Sequence, residues 1–173
     1  MDWVFNDGGR ANAGYKGTAG DCACRALSIA TGMNYKDAYK MINEYAKHER
    51  VSKRKKSISN ARTGVYVNTF KKIMNDLGWQ WKATMQIGSG CHTHLRADEL
   101  PSGKIICNVS KHFVAVIDGV INDTYDCSRD GTRCGTPRSY RQNQGGNVRK
   151  AYRSHRLYQC WRGYGRPRGK SAR

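Results

Sequence analysis

No apolar run in this 173-residue chain approaches the length of a membrane span. The chain also does not open on a basic segment followed by an apolar one. Met1-Asp2-Trp3-Val4-Phe5-Asn6 mixes an acid, aromatics and an amide, so no signal peptide is read and a cytoplasmic location is expected. No membrane partner is expected. Zinc ribbons and fingers are disfavoured because there is no Cys-x-x-Cys pair and no second His pair at zinc spacing. The cluster Cys91-His92-Thr93-His94 holds three potential ligands, which Cys127 and Cys134 could extend. No metal and no cofactor is nevertheless expected. No internal repeat appears, so a solenoid is not indicated.

Acid is the scarcest ingredient. There are 13 Asp+Glu against 31 Lys+Arg, a net charge of +18. The excess is uneven: residues 127–173 hold 13 basic residues and a single acid, Asp130. A field of this sign favours polyanionic partners such as nucleic acid or an acidic protein surface. In the same stretch Arg138, Arg141, Arg149, Lys150, Arg153 and Arg156 are interleaved with Tyr140, Tyr152, Tyr158 and Trp161. Arginine holds phosphates and aromatic rings stack on bases, so these basic residues are the nucleic-acid-binding candidates. A solvated basic tail that binds nothing in particular has the same composition.

The length suits one domain, large enough to bury a core without disulfides or metal. Seven cysteines, at 22, 24, 91, 107, 127, 134 and 160, leave at least one thiol unpaired within a monomer. Residues 1–20, rich in Gly, Asn and Ala, read as an irregular approach loop. Cys22 to Thr31 reads as a short buried helix with Ala23, Ala26, Leu27 and Ala30 on one face, capped by Asp21 and stopped by Gly32. Asn34 opens a second helix, with Tyr35, Ala38, Tyr39, Ile42, Tyr45 and Ala46 at helical spacing. Residues 47–62, including Lys53-Arg54-Lys55-Lys56, read as an exposed loop or ragged helix end. A third helix is expected from Val67 to Leu77, with Phe70, Ile73, Met74 and Leu77 inward.

The period then changes to two. Trp79 to Ile87 alternates like a half-buried strand, Gly88-Ser89-Gly90 is a turn, and Ala97 to Pro101 a helical turn. Strands are expected at Lys104–Val109, Phe113–Ile117 and Val120–Tyr125, with Asp118-Gly119 as a two-residue hairpin turn. Helices first and an antiparallel sheet afterwards give the α+β class, with a core over residues 1–126. Residues 127–173 form a basic extension that contains one candidate strand, Arg156 to Trp161, returning to the sheet, and then a disordered tail.

Thiol chemistry needs a stabilised thiolate, which a helix N-terminus and a nearby imidazolium supply. Cys22 falls on the first turn of a buried helix behind a glycine-rich loop, so it is the candidate nucleophile. A cysteine in an Ala-rich helix is equally a small core residue, and Cys24 points elsewhere on the helix. His112 heads the apolar strand Phe113-Val114-Ala115-Val116-Ile117. A base there needs a third group to hold its ring, and Asp123 on the neighbouring strand is suitably placed. Asn122 faces the opposite side, so only one of the two can serve.

Two segments carry a family resemblance. Gly20-Asp21-Cys22-Ala23-Cys24-Arg25-Ala26-Leu27-Ser28-Ile29-Ala30-Thr31-Gly32, followed by Tyr35 and Tyr39, resembles the nucleophile helix of papain-like cysteine peptidases, in particular small phage and bacterial members. Leu100-Pro101-Ser102-Gly103, Ile105–Val109, His112–Val116, Asp118-Gly119 and Asp123 resemble the His and Asp half of that fold, as in bacteriocin-leader-processing peptidases. The halves stand in papain-like order, about ninety residues apart, and cover roughly residues 20–126. The resemblance implies helices packed on a C-terminal antiparallel sheet. It also implies a Cys–His–Asp thiol hydrolase cleaving a peptide or isopeptide bond of a peptide or protein substrate. Acyl transferases use the same three groups, and a catalytically weak scaffold serving as a basic binding module is the alternative. The family's Gln before the nucleophile is missing, since residues 15–19 are Tyr-Lys-Gly-Thr-Ala. The backbone N–H of Cys22, with Tyr15, Thr18 or Asn12, is left to serve the oxyanion. Loss of one such donor costs about 10²–10³ in rate.

Overall fold

A computed structural model describes residues 1–53, 55–86, 90–91, 93–129 and 159–163, with 85–86, 90–91 and 159–163 described as backbone. The chain begins with a strand, β1 (Trp3–Phe5), inside the segment expected to be loop. Three helices follow among the described residues: α1 (Cys22–Thr31), α2 (Tyr35–Lys47) and α3 (Val67–Asp76). The remaining strands are β2 (Trp79–Ala83), β3 (Met85–Gln86), β4 (Gly90–Cys91), β5 (Lys104–Val109), β6 (His112–Ile117), β7 (Val120–Asp123) and β8 (Gln159–Gly163). The class is α+β. No helix among the described residues is long and apolar enough to cross a membrane.

The main sheet runs β1-β7-β6-β5-β8-β2, and β3 and β4 form a separate antiparallel pair. Expectation and structure differ here in one respect. The sheet is mixed rather than wholly antiparallel, because β1 lies parallel to β7, with Phe5 opposite Asp123. Three residues give almost no periodic signal, and β1 is held by its neighbour's backbone rather than by an apolar face of its own. The hairpin at Asp118-Gly119 is as the dipeptide predicts. Both residues have positive φ, 47° and 81°, which matches the right-handed twist of the flanking strands. β8 lies between β5 and β2, so the returning strand is internal to the sheet.

Both faces of β5 and β6 are covered, which explains their near-continuous apolar runs. On one face, Ile106, Phe113 and Ala115 pack against Ala23, Leu27, Ile42, Phe70 and Ile73 of the helices. The Phe70 and Phe113 rings lie 4.3 Å apart and tie α3 to β6. On the other face, Ile105, Val114, Val116 and Ile121 pack against Leu95 and Cys127. Cys127 therefore belongs to the core.

Asn34 caps α2 as expected, its side chain accepting from the Lys36 N–H at 2.9 Å. Gly32 ends α1 in the left-handed region with φ 74°. Asp21 precedes α1, but its side chain makes no capping bond, because three other partners claim it. Leu77 is 36% exposed rather than inward, since α3 stops at Asp76 and the chain turns away. The strand from Trp79 breaks at Thr84, and residues 97–99 form a turn. The basic stretch after α2 is tethered rather than ragged. Glu49 accepts from Lys55 Nζ at 2.5 Å, from the Ser59 N–H at 2.8 Å and from the Thr69 hydroxyl. Ile87, the turn at 88–89, His92, Arg54 and residues 130–158 and 164–173 lie outside the described residues, and with them Cys134 and the candidates Arg138, Arg141, Arg149, Lys150, Arg153 and Arg156.

Candidate active site

Cys22 is the first residue of α1, where backbone N–H groups have no partner within the helix. His112 is the first residue of β6, and Asp123 the last of β7. Packing of α1 on β6 brings the three together. His112 Nε2 is hydrogen-bonded to Asp123 Oδ2, with both side chains buried. The Cys22 thiol borders the same cleft as this ring, close enough that each shifts the other's proton affinity. The ring thus joins a thiol to a carboxylate, as a nucleophile, base and orienting group require.

The electrostatics separate the two neighbouring thiols. Burial pushes Cys22 up. The hydrogen bond and charge of His112, the Phe113 backbone N–H and the Arg25 charge outweigh that, so its thiol is held below the usual range. Burial likewise pushes Cys24 up, and its contacts do not compensate, so it reaches about 12. Cys24 is fully enclosed, with its sulfur 3.8 Å from the Tyr35 carbonyl oxygen. For His112, burial favours the neutral ring, but hydrogen bonds with Asp123, Cys127 and Cys22 reverse this and raise it well above an ordinary histidine. Both shifts act in the direction of a thiolate facing an imidazolium.

A ring of supports fixes the carboxylate. Asp123 Oδ1 accepts from the Thr124 N–H at 2.7 Å. Arg25 Nη1 lies 3.5 Å from the same oxygen and donates to the Thr124 hydroxyl. One turn back along α1, Asp21 Oδ1 is 3.3 Å from Arg25 Nε, although the geometry there is not that of a hydrogen bond. Asp21 also pairs with Arg10 at 2.9 Å. Tyr125 lies beside the imidazole, with ring centroids 5.2 Å apart and the planes tilted by 47°. Asn122 points away, as alternation requires, and accepts from Asn6 Nδ2 at 3.2 Å.

The thiol and imidazole open into a cleft of about 870 Å³ between the helices and the sheet. Ala19 and Gly20 border it beside Cys22, the 57–66 loop and α3 form its far wall, and Asn108 and Phe113 line its sheet side. The three side-chain candidates for the oxyanion do not border it. Tyr15 packs its ring against Tyr35 and Tyr39, with centroids 5.1 and 5.0 Å away. Asn12 lines a separate hollow beside Asn34 and Lys36, and Thr18 is exposed outside the cleft lining. Of the groups considered from sequence, the Cys22 N–H is the one at the site.

Sequence reasoning missed Arg25, Tyr125 and the place of Cys127 beside His112 and Asp123. Arg25 had a legible signal: an arginine four residues after an aspartate, in an otherwise apolar helix, requires a buried partner. Cys127 had none. It meets His112 and Asp123 with ligand atoms within 4.8 Å of one another, all three residues buried. That donor set suits a small divalent ion only if the His112–Asp123 hydrogen bond is given up. The grouping weighed from sequence differs from this one. There, His94 Nδ1 faces Glu99 at 3.0 Å, and the side chains of Cys91 and His92 lie outside the described residues.

No family model matches the chain, and neither a curated protein nor a solved structure matches it, so what this site does must be read from its own geometry.

Proposed function

We propose that the protein is a papain-like thiol hydrolase in which Cys22 attacks a carbonyl carbon, most naturally that of a peptide or isopeptide bond. The supporting observation is the contact chain from Cys22 through His112 to Asp123, with the thiol on a helix N-terminus and its pKa lowered there. The thiolate adds to the carbonyl, and the oxygen takes the negative charge beside the Cys22 N–H. His112 then gives its proton to the leaving amine as the C–N bond breaks. Water, deprotonated by His112, attacks the thioester, and the acid leaves with Cys22 restored. Asp123 keeps the imidazole in orientation throughout, and Arg25 keeps Asp123 in place. With an amine in place of water the same steps give acyl transfer.

The test is labelling by iodoacetamide at neutral pH, read at each cysteine by mass spectrometry. The wild type and Cys24→Ala are expected to label rapidly at residue 22, and Cys22→Ala to lose the rapid phase. Equal labelling of all three would remove Cys22 from the role.

A second reading is favoured by charge. The 13 basic residues of 127–173 suit a scaffold that grips nucleic acid or an acidic protein. Because β8 is internal to the sheet, the test keeps the chain whole and replaces Arg138, Arg141, Arg149, Lys150, Arg153 and Arg156 by Gln. Steeply salt-dependent binding of DNA or RNA that disappears in this variant would support it. Retention unchanged by the replacement would end it.

A further inference from the structure

The cleft in front of Cys22 has a consistent sign. Lys71 reaches it from α3, Lys111 from the β5–β6 turn and Arg25 from α1. No carboxylate lies among its described lining residues. The residues outside the description can add little acid, since Asp130 is the one acidic residue among them. Arg25 is already matched by Asp21 and Asp123. Lys71 and Lys111 have no such match among the described residues. Lys71 Nζ rests 4.1 Å over the Trp81 ring, which holds its charge in place without neutralising it.

Asn108 supplies an independent observation. It is only 7% exposed, lines the cleft beside Phe113 and His112, and its amide has no hydrogen-bond partner among the described residues. The amide of Asn108 is not fully enclosed, so it reaches the cleft and is left to bind whatever enters it. An amide offers one donor and one acceptor edge, which is what a peptide backbone asks for.

We propose that the substrate is an acidic peptide segment, with Asp or Glu side chains on both sides of the carbonyl that Cys22 attacks. Asn108 binds its backbone, and Lys71 and Lys111 bind its carboxylates. This rests on the thiol-hydrolase reading for the placement of the carbonyl. A nucleic acid meets the charge but offers Cys22 no acyl carbon, so the peptide fits the site better.

The experiment measures binding rather than turnover. Full-length Cys22→Ala protein is titrated against a fluorescein-labelled peptide with two glutamates on each side of a Gly-Gly pair, and against the same peptide with glutamines. The glutamate peptide is expected to bind at least tenfold more tightly. Adding Lys71→Gln and Lys111→Gln should remove most of that preference, whereas Lys36→Gln with Lys40→Gln on α2 should leave it. Asn108→Ala should weaken both peptides alike. A preference that survives the cleft variants would overturn the proposal, because the whole-chain charge would then be its source. So would a 20-nucleotide single strand that binds more tightly than the glutamate peptide and loses affinity in the cleft variants. Since no reaction is needed, failed labelling of Cys22 in the wild type ends the hydrolase reading separately from this result.

Discussion

Tyr35 donates its phenolic hydrogen to Asp21 across 2.5 Å, joining the first residue of α2 to the residue just ahead of Cys22. Asp21 is 3% exposed and also faces Arg10 and Arg25. This buried carboxylate ties the N-terminal loop, α1 and α2 together at the point from which Cys22 emerges. Tyr35→Phe keeps the ring and removes the donor. It is expected to cost about 2 kcal/mol, the range of a hydrogen bond to a charged group. An unshifted midpoint in urea denaturation would show that the bond contributes nothing.

Asp123 raises the affinity of His112 for its proton, and that charge helps hold the Cys22 thiol down. Asp123→Asn should weaken the imidazolium and move the thiol upward. The pH profile of iodoacetamide labelling at Cys22 should then shift to higher pH by about one unit, roughly a tenfold loss of rate on its acid limb. A profile that keeps its position would mean that Asp123 orients the ring without tuning it.

Glu49 should give the fold an acid-side dependence. Burial alone would push its carboxyl up, but hydrogen bonds from Lys55, Ser59 and Thr69 bring it from its usual 4.5 down to about 2. A depressed folded value means that the ionised form is stabilised by folding. That stability is full above about pH 5 and is lost as pH falls toward 2. Glu49→Gln should therefore be less stable than wild type at pH 7, with the gap closing as the pH is lowered. Urea midpoints across that range measure it. A constant gap would assign the loss to shape rather than charge.

Gly8 and Gly9 offer a paired comparison. Both have positive φ, 68° and 82°, so an alanine is strained at either, by about 1–2 kcal/mol. At Gly9 a Cβ meets nothing within 4 Å. At Gly8 it would sit 3.1 Å from the Arg25 carbonyl oxygen and 3.2 Å from its Cα, both α1 backbone. Gly8→Ala should therefore be the more destabilising and should also slow Cys22 labelling by displacing α1. Equal melting temperatures for the two variants would contradict this.

How much of this was legible beforehand follows from what each feature depends on. The Asn34 cap, the Gly32 stop and the Asp118-Gly119 turn are set by one or two residues acting on their own backbone, and they stand where the sequence puts them. The pairing of His112 with Asp123 follows from that turn, since it fixes β7 against β6. Asp21 could not be read the same way. Its chemistry suits a cap, but Arg10, Arg25 and Tyr35 outbid the helix for its oxygens, and those contacts exist only after α1, α2 and the loop have packed. Tyr15 likewise has a hydroxyl suited to the oxyanion, yet its ring is drawn to Tyr35 and Tyr39. β1 escaped notice because its partner is more than a hundred residues away.

The position of β8 bears on synthesis. Its backbone fills the space between β5 and β2, so the two inner edges stay unsatisfied until residue 163 has left the ribosome. α1, β6 and β7 are all made earlier, so the thiol and its imidazole can meet while the sheet still has an open slot. A nascent chain in that condition exposes two strand edges to any neighbour, which makes Gln159–Gly163 the segment that turns an adhesive intermediate into a closed sheet.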